Sequence, residues 1–365
     1  MKHNTKNNLF NYATSELSQD AFICYLLSFA YEDCYDPILT PCAKELIHLF
    51  VEEIDGKDLI LNEIQKQYPI TVLKKDGGRA QKRAIDILLT VQCRGICYKI
   101  IVEDKTFTSE HDNQLAIYKE TIEKEFPLPL YCVKGVYYKT GFQSNMEQVE
   151  KAKYHIVGRK EMIAFLETYI EKTDNLVIRD YCAYWHEFQK EADLFKVLPP
   201  TKWSWKQIYG FYEDLQNSIS DQHVGYGDVS NPSGGFIAFW TETQECDTLY
   251  FQDVGLKLYL QIETASKENE PTSLKICLKM TTREENEKSE SLTSARNMLI
   301  YRGKNSYRFN EYGFERPEII RQGRHMTVGI VNDKYYTAAE VKASFLHAIE
   351  KMKCLISDIK KEYGI

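Results

Sequence analysis

No stretch of the sequence approaches the roughly 18–20 continuous apolar residues that a membrane helix needs, so no membrane association is expected. The opening MKHNTKNNLF lacks the apolar core of a secretory leader, and a cytoplasmic location is expected. The most apolar early window, AFICYLLSFAYEDCY (21–35), is short and runs into acids, so it reads as a core helix. There is no P-loop, no dinucleotide fingerprint and no Ser-His-Asp order. GYGDVSNPSGG (225–235) is glycine-rich, but no helical pattern follows it. Internal repeats, heptads and low-complexity tracts are missing too. Of the ten cysteines, Cys93 and Cys97 are the closest pair, with no second pair and no nearby histidine to complete a zinc site. They read as free thiols in a reducing compartment. An excess of positive charge is also lacking. The net charge is −7, which gives no global attraction to nucleic acid. A local basic groove stays open, because phosphate contacts act within a Debye length of about 8–10 Å.

What is there suits a soluble globular chain. At 365 residues, with 43% apolar and 27% charged residues, two domains are expected, each able to fill a core. The Leu-Pro-Pro at 198–200 marks the boundary, giving a first domain over 1–197 and a second over 201–365. In the first, Thr14 or Ser15 can cap a helix, and a second helix over 42–55 follows Pro41. A strand is expected at 70–73, then a turn-rich basic link at 74–83, then two strands (84–91 and 98–105) around a turn at Gly95. A helix over 113–126, short strands at 130–134 and 154–157, and helices over 159–172 and 175–197 complete it. The second half reads as α+β: a helix, a run of strands beginning at 235, and a long final helix over 338–361.

The informative segment is AIDILLTVQCRGICYKIIVEDKT (84–106). Strand side chains alternate, so Glu103 and Lys105 share one face while Val102 and Asp104 point to the other. An antiparallel hairpin brings Asp86, at the start of one strand, near Glu103 and Lys105 at the end of the other. The strands are otherwise apolar, so two carboxylates and an ammonium there cost desolvation energy unless they pair or bind an ion. A hard divalent cation resolves the repulsion of two converging acids. It can polarise a phosphate and activate a water, while a neighbouring lysine offsets developing charge. The plainer reading is a salt bridge from Lys105 to Glu103 or Asp86, since short motifs match often by chance.

RAIDILLT followed by IIVEDKT resembles the D…ExK core of the PD-(D/E)XK nuclease superfamily. LFNYATSELSQDAFICYLLSFA is similar to that group's opening helix, in which Glu16 matches a metal-site glutamate. NQLAIYKE resembles the helix after the core, with Gln114 and Tyr118 matching a Gln and a Tyr one turn apart on a shared face. VYYKTGFQS is similar to a stretch after the next strand. The likeness spans about residues 8–190. Asp104 replaces the usual apolar or Asn residue, and the usual Pro-Asp dipeptide is Ile85-Asp86. The resemblance implies an α/β fold, a restriction-endonuclease-like mixed sheet flanked by helices, here followed by an α+β domain. It also implies Mg²⁺ or Mn²⁺ as cofactor, ligated by Asp86, Glu103 and Glu16, and phosphodiester hydrolysis of nucleic acid, with DNA favoured over RNA.

Each supporting residue has a second reading. Glu16 also suits a first-turn acid complementing the helix dipole, and Asp20, one turn on, is either its partner or solvated. Gln114 and Tyr118 also suit ordinary helix-boundary positions. Lys74, Lys75, Arg79, Lys82 and Arg83 run into the strand of Asp86 and suit sequence-independent phosphate contacts, or a solvated loop. His111 reads as an exposed loop residue. Trp203, Trp205, Tyr209, Phe211 and Tyr212 suit either a base-stacking platform or core packing, and Arg296, Arg302, Lys304 and Arg308 could meet phosphates. The second domain therefore reads only as a possible target- or partner-recognition element, and a homo-oligomer stays open. The competing class is a catalytically inactive nucleic-acid- or partner-binding module on a nuclease fold.

Overall fold

The structure is a computed structural model, and it describes residues 7–72, 80–111, 113–219, 223–230, 235–241, 248–251, 253–266, 270–282, 290–303, 306–321 and 323–364. The chain is mixed α/β and divides into two compact units, Met1–Lys190 and Glu191–Ile365. Among the described residues no helix is long and apolar enough to cross a membrane, and all the described cysteines are free thiols.

The first unit opens with α1 (Glu16–Ser28) and α2 (Leu39–Phe50). Ser15 caps α1, its hydroxyl accepting from the Ser18 amide at 3.3 Å. The second helix begins before Pro41 rather than after it, because a proline in the first turn removes an amide that has no helical partner anyway. Then come β1 (Leu59–Val72), β2 (Gln81–Cys93) and β3 (Ile96–Lys105). They are followed by α3 (Gln114–Glu125), β4 (Tyr131–Lys139), α4 (Glu147–Lys151), β5 (Tyr154–Gly158), α5 (Arg159–Ile170) and α6 (Leu176–Asp193). The sheet order is β1-β2-β3-β4-β5, antiparallel through β3 and parallel from β3 to β5. Arg94 and Gly95 turn the β2–β3 hairpin, both with positive φ (49° and 78°), as a tight two-residue turn requires.

Helices cover both faces. Phe22, Leu26, Leu46, Phe50, Tyr181 and Trp185 pack with Ile87, Leu89, Ile100 and Val102 on one side. Leu115, Tyr118, Ile122 and Val149 pack with Leu88, Ile101 and Tyr137 on the other. Side chains 101 and 102 thus go to opposite layers, as strand alternation demands.

Two expectations need correction. β1 starts at Leu59, not at 70, and pairs with β2 along nearly its whole length. Lys82 and Arg83 therefore lie in β2, opposite Thr71 and Ile70, and not in a turn-rich link. Their backbones are fixed by the ladder that the long β1 provides. Lys74, Lys75 and Arg79 fall outside the described residues.

The second unit contains α7 (Trp205–Asn217), then β6 (Val224–Val229), β7 (Phe236–Thr241), β8 (Leu249–Phe251), β9 (Val254–Ala265) and β10 (Ser273–Thr282). It continues with α8 (Glu290–Ile300), the two-residue pair β11 (Tyr301–Arg302) and β12 (Ser306–Tyr307), β13 (His325–Val331) and α9 (Ala338–Tyr363). The sheet runs β13-β10-β9-β7-β6, antiparallel throughout, with β8 on β9. β6 occupies part of the glycine-rich 225–235 stretch, ahead of the expected start of the strands at 235. Tyr212 of α7 and Phe345 of α9 pack on Phe239, with ring centroids 5.5 and 5.4 Å away, and so cover one face of this sheet.

Candidate active site

The hairpin delivers its chemistry at one end. The register pairs Ile87 with Val102, so the next position toward that end sets Asp86 against Glu103. After burial, the Asp86 charge beside it helps to raise the Glu103 carboxyl. The Lys105 Nζ lies 2.6 Å from Glu103 Oε1 and 3.8 Å from Asp86 Oδ2. The Asp104 amide donates to Asp86 Oδ2 at 3.0 Å and fixes it. The structure therefore brings Asp86, Glu103 and Lys105 together.

Helix α3 holds the cluster from one side. Gln114 Nε2 donates to Glu103 Oε1 at 2.6 Å and to the Tyr118 hydroxyl at 2.9 Å. That hydroxyl donates in turn to the Ala84 carbonyl at 2.9 Å, two residues before Asp86. The i,i+4 spacing places both side chains on the strand-facing stripe of the helix.

Helix α1 holds it from the other. Glu16 Oε1 accepts from the Thr106 amide at 3.0 Å and the Thr108 hydroxyl at 2.6 Å, tying down the chain leaving β3. It thus engages the exit of the strand, and the acid of α1 that faces Asp86 is Asp20. Gln67 bridges Asp20 and Asp86: its Nε2 lies 3.2 Å from Asp20 Oδ2 and 3.3 Å from Asp86 Oδ1. Gln67 sits on β1 between the pairs Lys66–Ile87 and Tyr68–Ile85, opposite Asp86, with φ of 54°. A non-glycine residue in the left-handed region inside a strand is strained, and such strain gathers at functional sites. Sequence reasoning missed Gln67 because the polar run NEIQKQ gives no strand alternation.

The charges are out of balance. Glu103 is fully buried, and burial followed by the charge of Asp86 pushes its carboxyl up to about 8 against the pull of Lys105. Burial and the same Asp86 charge push Asp20 up to about 7, with Gln67 opposing. Burial alone would lower the Lys105 ammonium, but Glu103 and Asp86 outweigh it and hold it above its ordinary range. Glu103 Oε2 and Asp20 Oδ1 are buried with no hydrogen-bond partner.

Asp104 points to the opposite layer, as its place in the strand requires. It is wholly buried and accepts from the Gln19 side chain, which also donates to Thr106 Oγ1 at 3.2 Å and Thr140 Oγ1 at 3.0 Å. Burial raises the Asp104 carboxyl well above the usual range. The Tyr181 hydroxyl donates to Gln19 Oε1 at 3.0 Å and pairs with the Tyr138 hydroxyl at 2.7 Å. This network anchors α1 to the end of β3.

The partnerless oxygens and the all-oxygen donor set fit a hard divalent cation. Among the described residues, however, no group of three or more His, Cys, Asp or Glu side chains is arranged to hold a metal ion. The two observations differ because the donor set here is a carboxylate pair, with Asp20 set behind Gln67. Mg²⁺ is commonly bound by one or two carboxylates, with waters and substrate oxygens completing its shell.

The other residues singled out in the sequence lie elsewhere. Lys82 is exposed, and Arg83 is partly buried with its guanidinium on Gln81 Oε1. His111 is exposed. Trp203, Phe211 and Tyr212 are buried core residues, while Trp205 is 41% exposed. Arg308 is buried and bound to Glu362, Arg302 pairs with Glu311 and Glu362, and Arg296 donates to the Gly323 carbonyl, so these arginines serve the fold. Lys304 is outside the described residues. Comparisons with family models, with curated proteins and with solved structures gave no match.

Proposed function

We propose that the first unit is a metal-dependent nuclease of the PD-(D/E)XK type with a restriction-endonuclease-like sheet, acting on nucleic acid, with DNA as its first substrate to test. The observation that carries this reading is the meeting of Asp86, Glu103 and Lys105 at one end of a buried apolar hairpin. The mixed sheet, the flanking helices and the placement of Gln114 and Tyr118 against Glu103 support it.

Asp86 and Glu103 would hold Mg²⁺ or Mn²⁺, which when bound polarises a phosphate oxygen and lowers the pKa of a water. Lys105 keeps its proton, orients the attacking water and offsets charge gathering on the phosphate. Gln114 orients the Glu103 carboxylate, and Tyr118 steadies the strand that carries Asp86. Gln67 and Asp20 set the Asp86 carboxylate from behind. The side chains of Asp86 and Lys105 are 20% and 11% exposed while that of Glu103 is closed off, so solvent reaches the cluster along the Asp86–Lys105 edge. Glu16 positions the exit of β3, and Lys82 and Arg83 lie upstream of Asp86 on the same strand, where phosphates could be met.

In this reading Asp86→Ala and Lys105→Ala each abolish Mg²⁺-dependent cleavage across a panel of labelled DNA and RNA substrates. Full activity in either purified variant would rule the roles out. A second reading, a catalytically inactive binding module on the same fold, is favoured by the lack of a three-residue ligand group among the described residues and by the Lys105 contact that engages Glu103. Calorimetry with Mn²⁺ separates the two: only the nuclease reading expects binding that Glu103→Gln weakens.

A further inference from the structure

The second unit covers one face of its sheet with α7 and α9 and leaves the other as a groove of about 1120 Å³. We propose that this groove binds single-stranded DNA, with Trp240 as a stacking platform and Lys275 and Arg321 as phosphate contacts.

The platform is built into the register. Gly225 of β6 pairs directly with Trp240 of β7. A Cβ on Gly225 would come within 2.9–3.0 Å of three indole atoms, so the ring lies on the backbone that glycine leaves bare. The indole is only partly buried and lines the groove. Phe236 on the same strand and Tyr259 on β9 add aromatic surface to the lining. Stacking on such rings is the sequence-tolerant way to hold unpaired bases.

The charge of the lining runs against that of the chain. Among the described lining residues three cations, Lys275, Lys279 and Arg321, face one acid, Glu263, on a protein of net charge −7. Lys279 is buried and committed to Glu263 at 2.6 Å and to Thr327 at 2.9 Å. The surplus therefore sits on Lys275 and Arg321, both exposed. Aromatic faces interleaved with cations match a ligand of alternating bases and phosphates. The lining draws on five strands, a width of roughly 19 Å at sheet spacing, which is more than one nucleotide needs. The volume also exceeds the usual range for a small-molecule pocket, about 300–1,000 Å³. A duplex hides its base faces and cannot use the indole. The preference for DNA over RNA rests on the function proposed for the first unit, whereas the groove chemistry does not.

The test is fluorescence anisotropy of the full chain in EDTA with labelled oligo-dT, oligo-U of equal length and the matching duplex, at low and moderate salt. Oligo-dT should bind more tightly than duplex. Trp240→Ala should weaken binding about 5- to 150-fold, the range for losing one stacked base. Trp240→Phe should keep most of the affinity, and Lys275→Ala should reduce the salt slope by about 0.7. Circular dichroism checks the fold of each variant. Lys275 is exposed, so its variant decides the matter even where Trp240→Ala fails to fold. Preference for duplex, an unchanged salt slope in Lys275→Ala, or unchanged binding in a folded Trp240→Ala would overturn the proposal, and tighter binding of oligo-U would overturn the assignment to DNA. Cleavage by Asp86 variants is scored separately in Mg²⁺, so failure of the groove and failure of the nuclease reading are distinguishable.

Discussion

Replacing Glu103 by Gln removes the most deeply buried acid of the cluster while keeping its shape. In the wild type this carboxyl is pushed from 4.5 to about 8 in the folded state. Between those values the folded protein keeps a proton that the unfolded chain releases, so stability falls as pH rises through the window. At 1.36 kcal/mol per pH unit the loss comes to about 5 kcal/mol, and the group is fully buried, so solvent does little to screen it. Asp20 adds a loss of the same sign from its ordinary value up to about pH 7. Urea unfolding in EDTA at pH 5 and pH 8.5 measures the difference. The wild type should lose several kcal/mol across that interval, and Glu103→Gln clearly less. Mn²⁺ at about 100 times its dissociation constant should restore about 2.7 kcal/mol to the wild type at the upper pH, where it replaces the missing proton, and little at the lower. Identical pH slopes for the two proteins would refute the account of Glu103. A Mn²⁺ effect equal at both pH values would refute the exchange of a proton for a cation.

Two further substitutions probe what holds the site. Gln19→Ala strips Asp104 of its donor inside a fully buried network and should cost about 1–3 kcal/mol in chemical denaturation, with Gln19→Glu at least as harmful at neutral pH. Gly141→Ala would set a Cβ 1.8 Å from the Thr106 carbonyl oxygen, which is backbone and cannot swing aside. A loss above about 3 kcal/mol, or insoluble protein, is expected, and a wild-type melting temperature would contradict the packing at the end of β3.

The hairpin was legible because its strands are apolar and alternate, and because Gly95 marks the turn. That was enough to place Asp86, Glu103 and Lys105 on one point, and the i,i+4 spacing was enough to aim Gln114 and Tyr118. β1 was legible only in its last residues. Its middle, NEIQKQ, is polar and half-exposed on an edge strand, and only the ladder to β2 makes it a strand. Gln67 was hidden for the same reason, since its role depends on a positive φ and on partners 19 and 47 residues away. The Asp104 side chain was correctly turned from the site, but its surroundings could not be read, because Gln19 meets it, and Thr140 and Tyr181 meet Gln19, only through tertiary packing. In the second unit the groove leaves no sequence signal, because its side chains alternate with core residues. The aromatic cluster near 203 was the more visible feature and proved to be mostly core.

Glu16, Gln19 and Asp20 form one stripe of α1, and each reaches a different part of the chain: Thr106 and Thr108, then Asp104, Thr140 and Tyr181, then Gln67. A nascent polypeptide therefore carries this helix long before it carries all the groups that fasten it. Of those groups Tyr181, near the close of the first unit, is the last to be synthesised, so the full set of fastenings exists only once it is present. A chain that stops upstream of Tyr181 would lack the hydrogen bond that this residue makes to Gln19, and with it part of the anchor of α1.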